Sequence, residues 1–183
     1  AEAGDAYAQY ELGKWYAIGR GVKQDFKKAL KWYKKAADQG NPRAQSNLGV
    51  MYKNGQGVEL DFKKALKWWQ KAADQGQARA QTSLGFMYHQ GQGVKQDYAK
   101  ALELFTKAAG QGDAFAQTSL GSMYYNGQGV VQDYIIAHMW FCIAAANGYE
   151  NAVESRDLTA KKMSSEDVSK AQGLARAWVN VHP

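Results

Sequence analysis

Three kinds of residue in this chain have side chains or backbones able to do chemistry, and their spacing decides what that chemistry is. The stretch NGQGVELDFKKALKWWQKAADQG, residues 54–76, places two glycines one residue apart ahead of a helical pattern. Such a turn can cradle a phosphate on backbone amides. Asp25, Asp61, Asp97 and Asp133 are candidates for acid–base work. His89, His138, His182 and the single Cys142 are the candidate ligands and nucleophiles.

Spacing argues against all three. The turn recurs in IGRGVKQDFKKALKWYKKAADQG, HQGQGVKQDYAKALELFTKAAGQG and YNGQGVVQDYIIAHMWFCIAAANG, with Gly21, Gly57, Gly93 and Gly129 each 36 residues apart. A nucleotide fingerprint occurs once, after a strand, in a βαβ unit. Here it occurs four times with no strand pattern before it, so it is a bend between helices. The aspartates share the same period, which gives each of them a structural job. The histidines show no His-x-x-x-His spacing, so neither metal nor cofactor is expected. Cys142 aligns with Lys34, Gln70 and Thr106, an outward variable position, and reads as an incidental thiol. One cysteine also excludes an intramolecular disulfide.

The elements that position these residues are helices. The 183 residues are 45% hydrophobic and 13% aromatic with two prolines, a composition for a folded, alanine-rich helical domain. No apolar run approaches the roughly 20 residues that span a bilayer. The formal charge of +6 favours acidic partners without choosing their class. Helix A of each unit begins near Asp5, Asn41, Gln77 or Asp113, three of them good N-caps. Its inward stripe is Ala8, Leu12, Tyr16 and the equivalents Ala44, Leu48, Tyr52; Ala80, Leu84, Tyr88; Ala116, Leu120, Tyr124. Gly13, Gly49, Gly85 and Gly121 follow each leucine. Their recurrence predicts close approach by a neighbouring helix backbone. Helix B starts at the repeated aspartates and buries Ala29, Trp32, Tyr33, Ala36 and, in the later units, Ala65, Trp68, Trp69, Ala72; Ala101, Leu104, Phe105, Ala108; Ala137, Trp140, Phe141, Ala144. Gly40, Gly76, Gly112 and Gly148 close the units as left-handed caps.

The pattern Ala-Gln-x-x-Leu-Gly-x-x-Tyr-x-x-Gly-x-Gly-Val-x-x-Asp, followed by a Lys-Ala…Trp-Tyr…Lys-Ala-Ala helix, resembles the Sel1-like repeat family over residues 4–148. The resemblance implies an all-α protein, a right-handed α/α superhelical solenoid related to tetratricopeptide repeats, acting as a protein-interaction scaffold. Its Cys-rich branch carries a disulfide in each repeat; this chain lacks those cysteines. The expected organisation is residues 1–148 as four 36-residue repeats (about 4–39, 40–75, 76–111 and 112–148), then 149–183 as a degenerate helix and a C-terminal capping helix. In that end segment, MSSEDVSKAQGLARAW has serine caps and an apolar line through Val168, Ala171, Ala175 and Trp178. Ile135, Ile136 and Met139 replace Lys27, Lys28 and Lys31 in the last full repeat, as packing under a cap requires. This ending resembles exported members of the family, which implies periplasm or secretion; no signal-peptide pattern is legible. Ala1, Glu2 and Ala3 align with the last turn of a helix B, so a shortened chain with an upstream helix missing is expected.

Binding is therefore expected on the concave helix-A face, where residues vary between repeats. These are Tyr7, Tyr10 and Lys14; Arg43, Ser46, Asn47, Val50 and Lys53; Arg79, Thr82, Ser83, Phe86 and His89; and Phe115, Thr118, Ser122 and Tyr125. Arg43 and Arg79 would pair with acids, and Phe86, Phe115 and Tyr125 would give apolar area. The expected partner is a protein or peptide, and no enzyme activity is expected. The alternative is an anion-binding module, for acidic protein, lipid or nucleic acid, using Lys27, Lys28, Lys31, Lys34, Lys35, Lys63, Lys64, Lys67 and Lys71 on helix B. The lack of a free aromatic platform among these lysines argues against nucleic acid. A cell-wall-ligand enzyme follows only from analogy with the Cys-rich branch. A monomer is expected, with an apolar N-terminal face able to drive a dimer that depends on chain length.

Overall fold

The computed structural model describes residues 4–182. The expected helix-B turn at Ala1–Ala3 lies outside the described residues, among which there are ten α-helices and no strand. They run as pairs: α1 (Ala6–Ile18) with α2 (Phe26–Asp38), α3 (Pro42–Asn54) with α4 (Phe62–Asp74), α5 (Ala78–Gln90) with α6 (Tyr98–Ala109), and α7 (Ala114–Asn126) with α8 (Tyr134–Ala146). Two further helices follow, α9 (Asn151–Ala160) and α10 (Ser165–Val181). The chain forms two compact units, one running to Met87 and including Gln92–Lys95, the other comprising Tyr88–Gly91 and Gln96 onward.

The helices start where their caps dictate. Asp25, Asp61 and Asp97 each accept the amide of the third residue onward at 2.9 Å, and Asp133 accepts from both Ile135 and Ile136. That satisfies donors a helix N-terminus otherwise leaves unpaired. Asp5, Asn41 and Asp113 do the same for α1, α3 and α7, and Gln77 caps α5 with its amide oxygen on the Ala80 amide.

The turn between paired helices answers the question raised by its glycines. Gly55 is the left-handed C-cap of α3 (φ 65°), donating to the Met51 carbonyl. Gly57 (φ +69°) lies against the first turn of α2, where a Cβ would come 2.5 Å from the Phe26 carbonyl carbon. The first glycine reverses the chain and the second admits the preceding helix. The glycine inside helix A has a related but different reason from the expected backbone approach. A helix-B ring lies across it. A Cβ on Gly49 would meet the Trp69 indole, one on Gly13 the Tyr33 ring at 2.7 Å, and one on Gly121 the Phe141 ring at 2.6 Å.

In the first unit, Ala29, Tyr33, Ala36, Ala44, Leu48 and Met51 form the core, with Phe26, Leu30 and Trp68 packed on it. Trp32 and Trp68 are half-buried rather than buried, and the ammonium groups of Lys35 and Lys71 lie over their rings at 4.6 Å. Buried glutamines tie successive repeats together. Gln45 donates to the Ala37 carbonyl (3.2 Å) at the end of α2 and accepts from Gln75 (2.8 Å) after α4. In the second unit Gln117 donates to Ala109 (3.2 Å) and accepts from Asn147 (3.0 Å). There α10 starts at its Ser164 cap and seats Ala171 and Ala175 in the interior. Trp178 meets Trp140 edge-on at 5.4 Å, and Met139 is buried.

Candidate partner-binding face

In the first unit the variable positions of helix A converge on one depression of about 430 Å³. Tyr10 and Lys14 of α1, Asn47 and Val50 of α3, and Arg79 of α5 all line it. Their common side follows from the helix period, which places these residues opposite the alanine–leucine stripe in three successive helices A. No carboxylate lines the depression. Lys14 has a loose pair with Glu11 at 3.8 Å, and among the described residues no carboxylate is within ion-pair distance of Arg79. The depression is thus cationic, with an apolar wall from Val50, Met51, Phe26 and Ile18.

Its floor holds Tyr33, which the sequence pattern assigns to the core alone. The residue is 3% exposed, and its ring lies 5.9 Å from that of Tyr10. Burial pushes the phenol up to about 12; the neighbouring Tyr10 and Glu11 add to the rise, while the Asn47 side chain and the charge of Arg79 oppose it. Tyr33 is therefore part of the lining of the candidate face. A hydroxyl placed on a core position in only one repeat is the available signal: the equivalent rings are Trp69, Phe105 and Phe141.

The other helix-A positions lie apart from this depression. Tyr7 is exposed, 6.4 Å from Tyr10. Arg43 and Lys53 are exposed, and Ser83 and Phe86 are half-buried. Ser46 and Thr82 are buried, not on the open face as their variation between repeats suggests. The Thr82 hydroxyl turns back to the Ala78 carbonyl at 3.1 Å, a bond that lets a small polar side chain enter the interior. Tyr10 is also buried, at 9% exposure, while still lining the depression.

In the second unit each variable residue has a local partner. His89 shares a hydrogen bond with Gln128 (3.0 Å) and meets the Tyr98 ring edge-on. Phe115 is 54% exposed with its ring 4.7 Å from Tyr149, and Tyr125 lies 5.2 Å from Tyr134. The Ser122 hydroxyl donates to Thr118, itself half-buried and bonded to Ala114.

The residues considered for chemistry are placed for structure. His138 is buried, with Nδ1 3.4 Å from the Cys142 sulfur. Desolvation lowers the imidazole and raises the thiol, so both are held neutral. No group of three potential metal ligands occurs among the described residues. No helix among them is long and apolar enough to cross a membrane. The helix-B lysines are partly engaged: Lys28 and Lys64 lie near Asp25 and Asp61 and over Tyr16 and Tyr52.

The Sel1 repeat pattern matches four times in succession, at residues 6–41, 42–77, 78–113 and 114–149. The chain belongs to the Sel1 repeat family. A crystal structure of a Sel1 repeat protein from Oxalobacter formigenes is 31% identical, covering 94% of this chain and 71% of that one at a TM-score of 0.81. Cysteine-rich protein B of Helicobacter pylori is 31% identical over 74% of this chain and 98% of its own, with a TM-score of 0.57. A protective antigen of uropathogenic Escherichia coli with the same repeat fold is 32% identical over 99% of this chain, at a TM-score of 0.67. This chain spans 47% of that antigen. It spans 7% of a sel1-like repeat-containing protein of Acanthamoeba polyphaga mimivirus, which is 49% identical over 41 residues. The fold is accordingly all-helical and of the Sel1 solenoid class. Sel1 repeat proteins generally mediate protein–protein interaction and are typically non-enzymatic scaffolds.

Proposed function

We propose that this Sel1 repeat chain is a non-enzymatic adaptor that binds a partner polypeptide on its helix-A surface. The observation that carries the reading is the cationic depression of the first unit, to which three successive helices A contribute Lys14, Asn47, Val50 and Arg79. Small-molecule sites enclose their ligand, whereas an open trough built from repeated helices suits an extended chain. Arg43 and Lys53 are further exposed cations on the second helix A, and His89, Phe115, Ser122 and Tyr125 are the helix-A positions of the second unit.

The test is an affinity capture at physiological salt with mass spectrometry, comparing the chain with Lys14→Ala/Asn47→Ala/Arg79→Ala. All three side chains are at least partly exposed, so helicity and melting are expected to be unchanged. Partners held by the parent and lost by the variant support the reading. Identical capture by both proteins refutes it.

A further inference from the structure

We infer that the Tyr33 hydroxyl, Asn47 and Arg79 together form a binding site for one carboxylate, so that the partner presents an acidic side chain to the floor of the first unit's depression. This inference rests on the reading of that depression as a polypeptide-binding surface.

The geometry comes from an unusual use of a core position. In the first, second and fourth repeats a helix-B ring lies in the slot left by the glycine of helix A. In the second repeat that ring is Trp69, whose indole N–H is consumed by the Ser46 carbonyl at 3.0 Å. Phe141 fills the slot in the fourth repeat and Phe105 stands at the equivalent position in the third, and neither has a polar atom to offer. Only the first repeat places a hydroxyl there, on a buried residue that lines the same open depression as Arg79.

The neighbours fix what that hydroxyl can do. Asn47 lines the same depression, and its side-chain amide carries N–H donors. The phenolic O–H of Tyr33 is a further donor in that lining. Burial keeps the phenol protonated at physiological pH, which makes it a donor throughout. Arg79 supplies charge and further N–H donors from the third repeat. Asn47 is likewise particular to its repeat, its equivalents being Glu11, Ser83 and Ser119. The donors line one depression; Glu11, the carboxylate whose charge acts on Tyr33, is held by Lys14 at 3.8 Å, and the ligand that matches the donors is an anion with two oxygens. The apolar wall of Val50, Met51 and Ile18 calls for a hydrocarbon neighbour to that acid, which a peptide supplies and a free inorganic anion does not.

The experiment selects phage-displayed random dodecapeptides on the immobilised chain at physiological salt, then measures the winners by fluorescence anisotropy. Three variants are compared: Tyr33→Phe, Arg79→Gln and Val50→Glu. The first keeps the ring that later repeats already accommodate as Phe105 and Phe141. The inference expects winners sharing an Asp or Glu beside an apolar residue. Their affinity should drop about tenfold in Tyr33→Phe, the loss typical of one hydrogen bond to a charged group, and at least as far in Arg79→Gln. Val50→Glu should abolish binding. Winners that Val50→Glu blocks but that share no acid, or that bind Tyr33→Phe undiminished, overturn the carboxylate site and leave the surface standing. Winners indifferent to Val50→Glu, or no winners, overturn the surface and the carboxylate site together.

Discussion

The same substitution, glycine to alanine inside a helix, should have opposite effects at two places in this chain. Gly49 lies in the middle of α3 and Gly173 in the middle of α10. An added methyl at Gly173 meets nothing within 4 Å, whereas at Gly49 it would come 2.5 Å from Trp69 Cδ1 and 2.6 Å from Cε2. Helix propensity favours alanine by about 1 kcal/mol at both. At Gly173 that preference stands alone, giving a gain of about 0.5–1 kcal/mol. At Gly49 the indole is 2% exposed and cannot swing away. Forcing it out costs about 1–3 kcal/mol of overpacking. It also disturbs the indole bond to Ser46, about 1 kcal/mol more. The net expectation is a loss of about 1–3 kcal/mol at Gly49 after the propensity gain is deducted. Urea unfolding followed by circular dichroism reads both, as a lower midpoint for Gly49→Ala and a higher one for Gly173→Ala. An unchanged or raised midpoint for Gly49→Ala would refute the account of why this glycine is needed.

Two further expectations concern pH. Hydrogen bonding from the Lys64 amide, then the Lys64 ammonium, holds the Asp61 carboxyl below its ordinary 3.8. Its contribution to stability is complete above 3.8 and is lost as pH falls through the lower folded value. Asp61→Asn, which retains a capping oxygen, should therefore flatten the acid limb of urea midpoint against pH, and an identical limb would count against this role. His138 is depressed by burial first and by Arg156 second, so the fold favours neutral imidazole and stability declines as pH drops from 6.5 toward the folded value. Its two-dimensional NMR titration should show a midpoint below 6.5; a midpoint at or above that value would contradict the burial.

Much of the fold was legible because repetition separates structural signals from accidental ones. An aspartate recurring at a fixed offset before an apolar helix marks a cap, and Asp25, Asp61, Asp97 and Asp133 all cap the helices they precede. The candidate face was legible in part, since helical periodicity groups Lys14, Asn47, Val50 and Arg79. Periodicity gives the direction of a side chain at Cα and not where its far end emerges. Tyr33 therefore reads as core, and its place in the lining of the depression is not legible. Ser46 and Thr82 read as open-face positions because they vary between repeats, yet each follows a buried glutamine, Gln45 or Gln81, and is itself buried. The glutamine before each helix-A leucine was visible as part of the motif. Its bonds at separations of 8 and 30 residues depend on where neighbouring repeats lie, which a single repeat cannot reveal.

Those separations have an evolutionary consequence. Gln45 to Ala37 and Gln117 to Ala109 each span 8 residues, and Gln75 to Gln45 and Asn147 to Gln117 each span 30. Gly57 against Phe26, Gly93 against Phe62 and Gly129 against Tyr98 all span 31. Every junction thus uses the same short-range coordinates. Unequal recombination that inserts or removes a whole 36-residue block creates no new kind of joint, wherever in the repeat it cuts. A crossover one residue out of phase would misplace the glutamine and the glycine together and leave buried polar groups unpaired. Gene length can drift in units of one repeat while fractional changes are purged, and a surface such as the one in the first unit can diverge without any change at the joints.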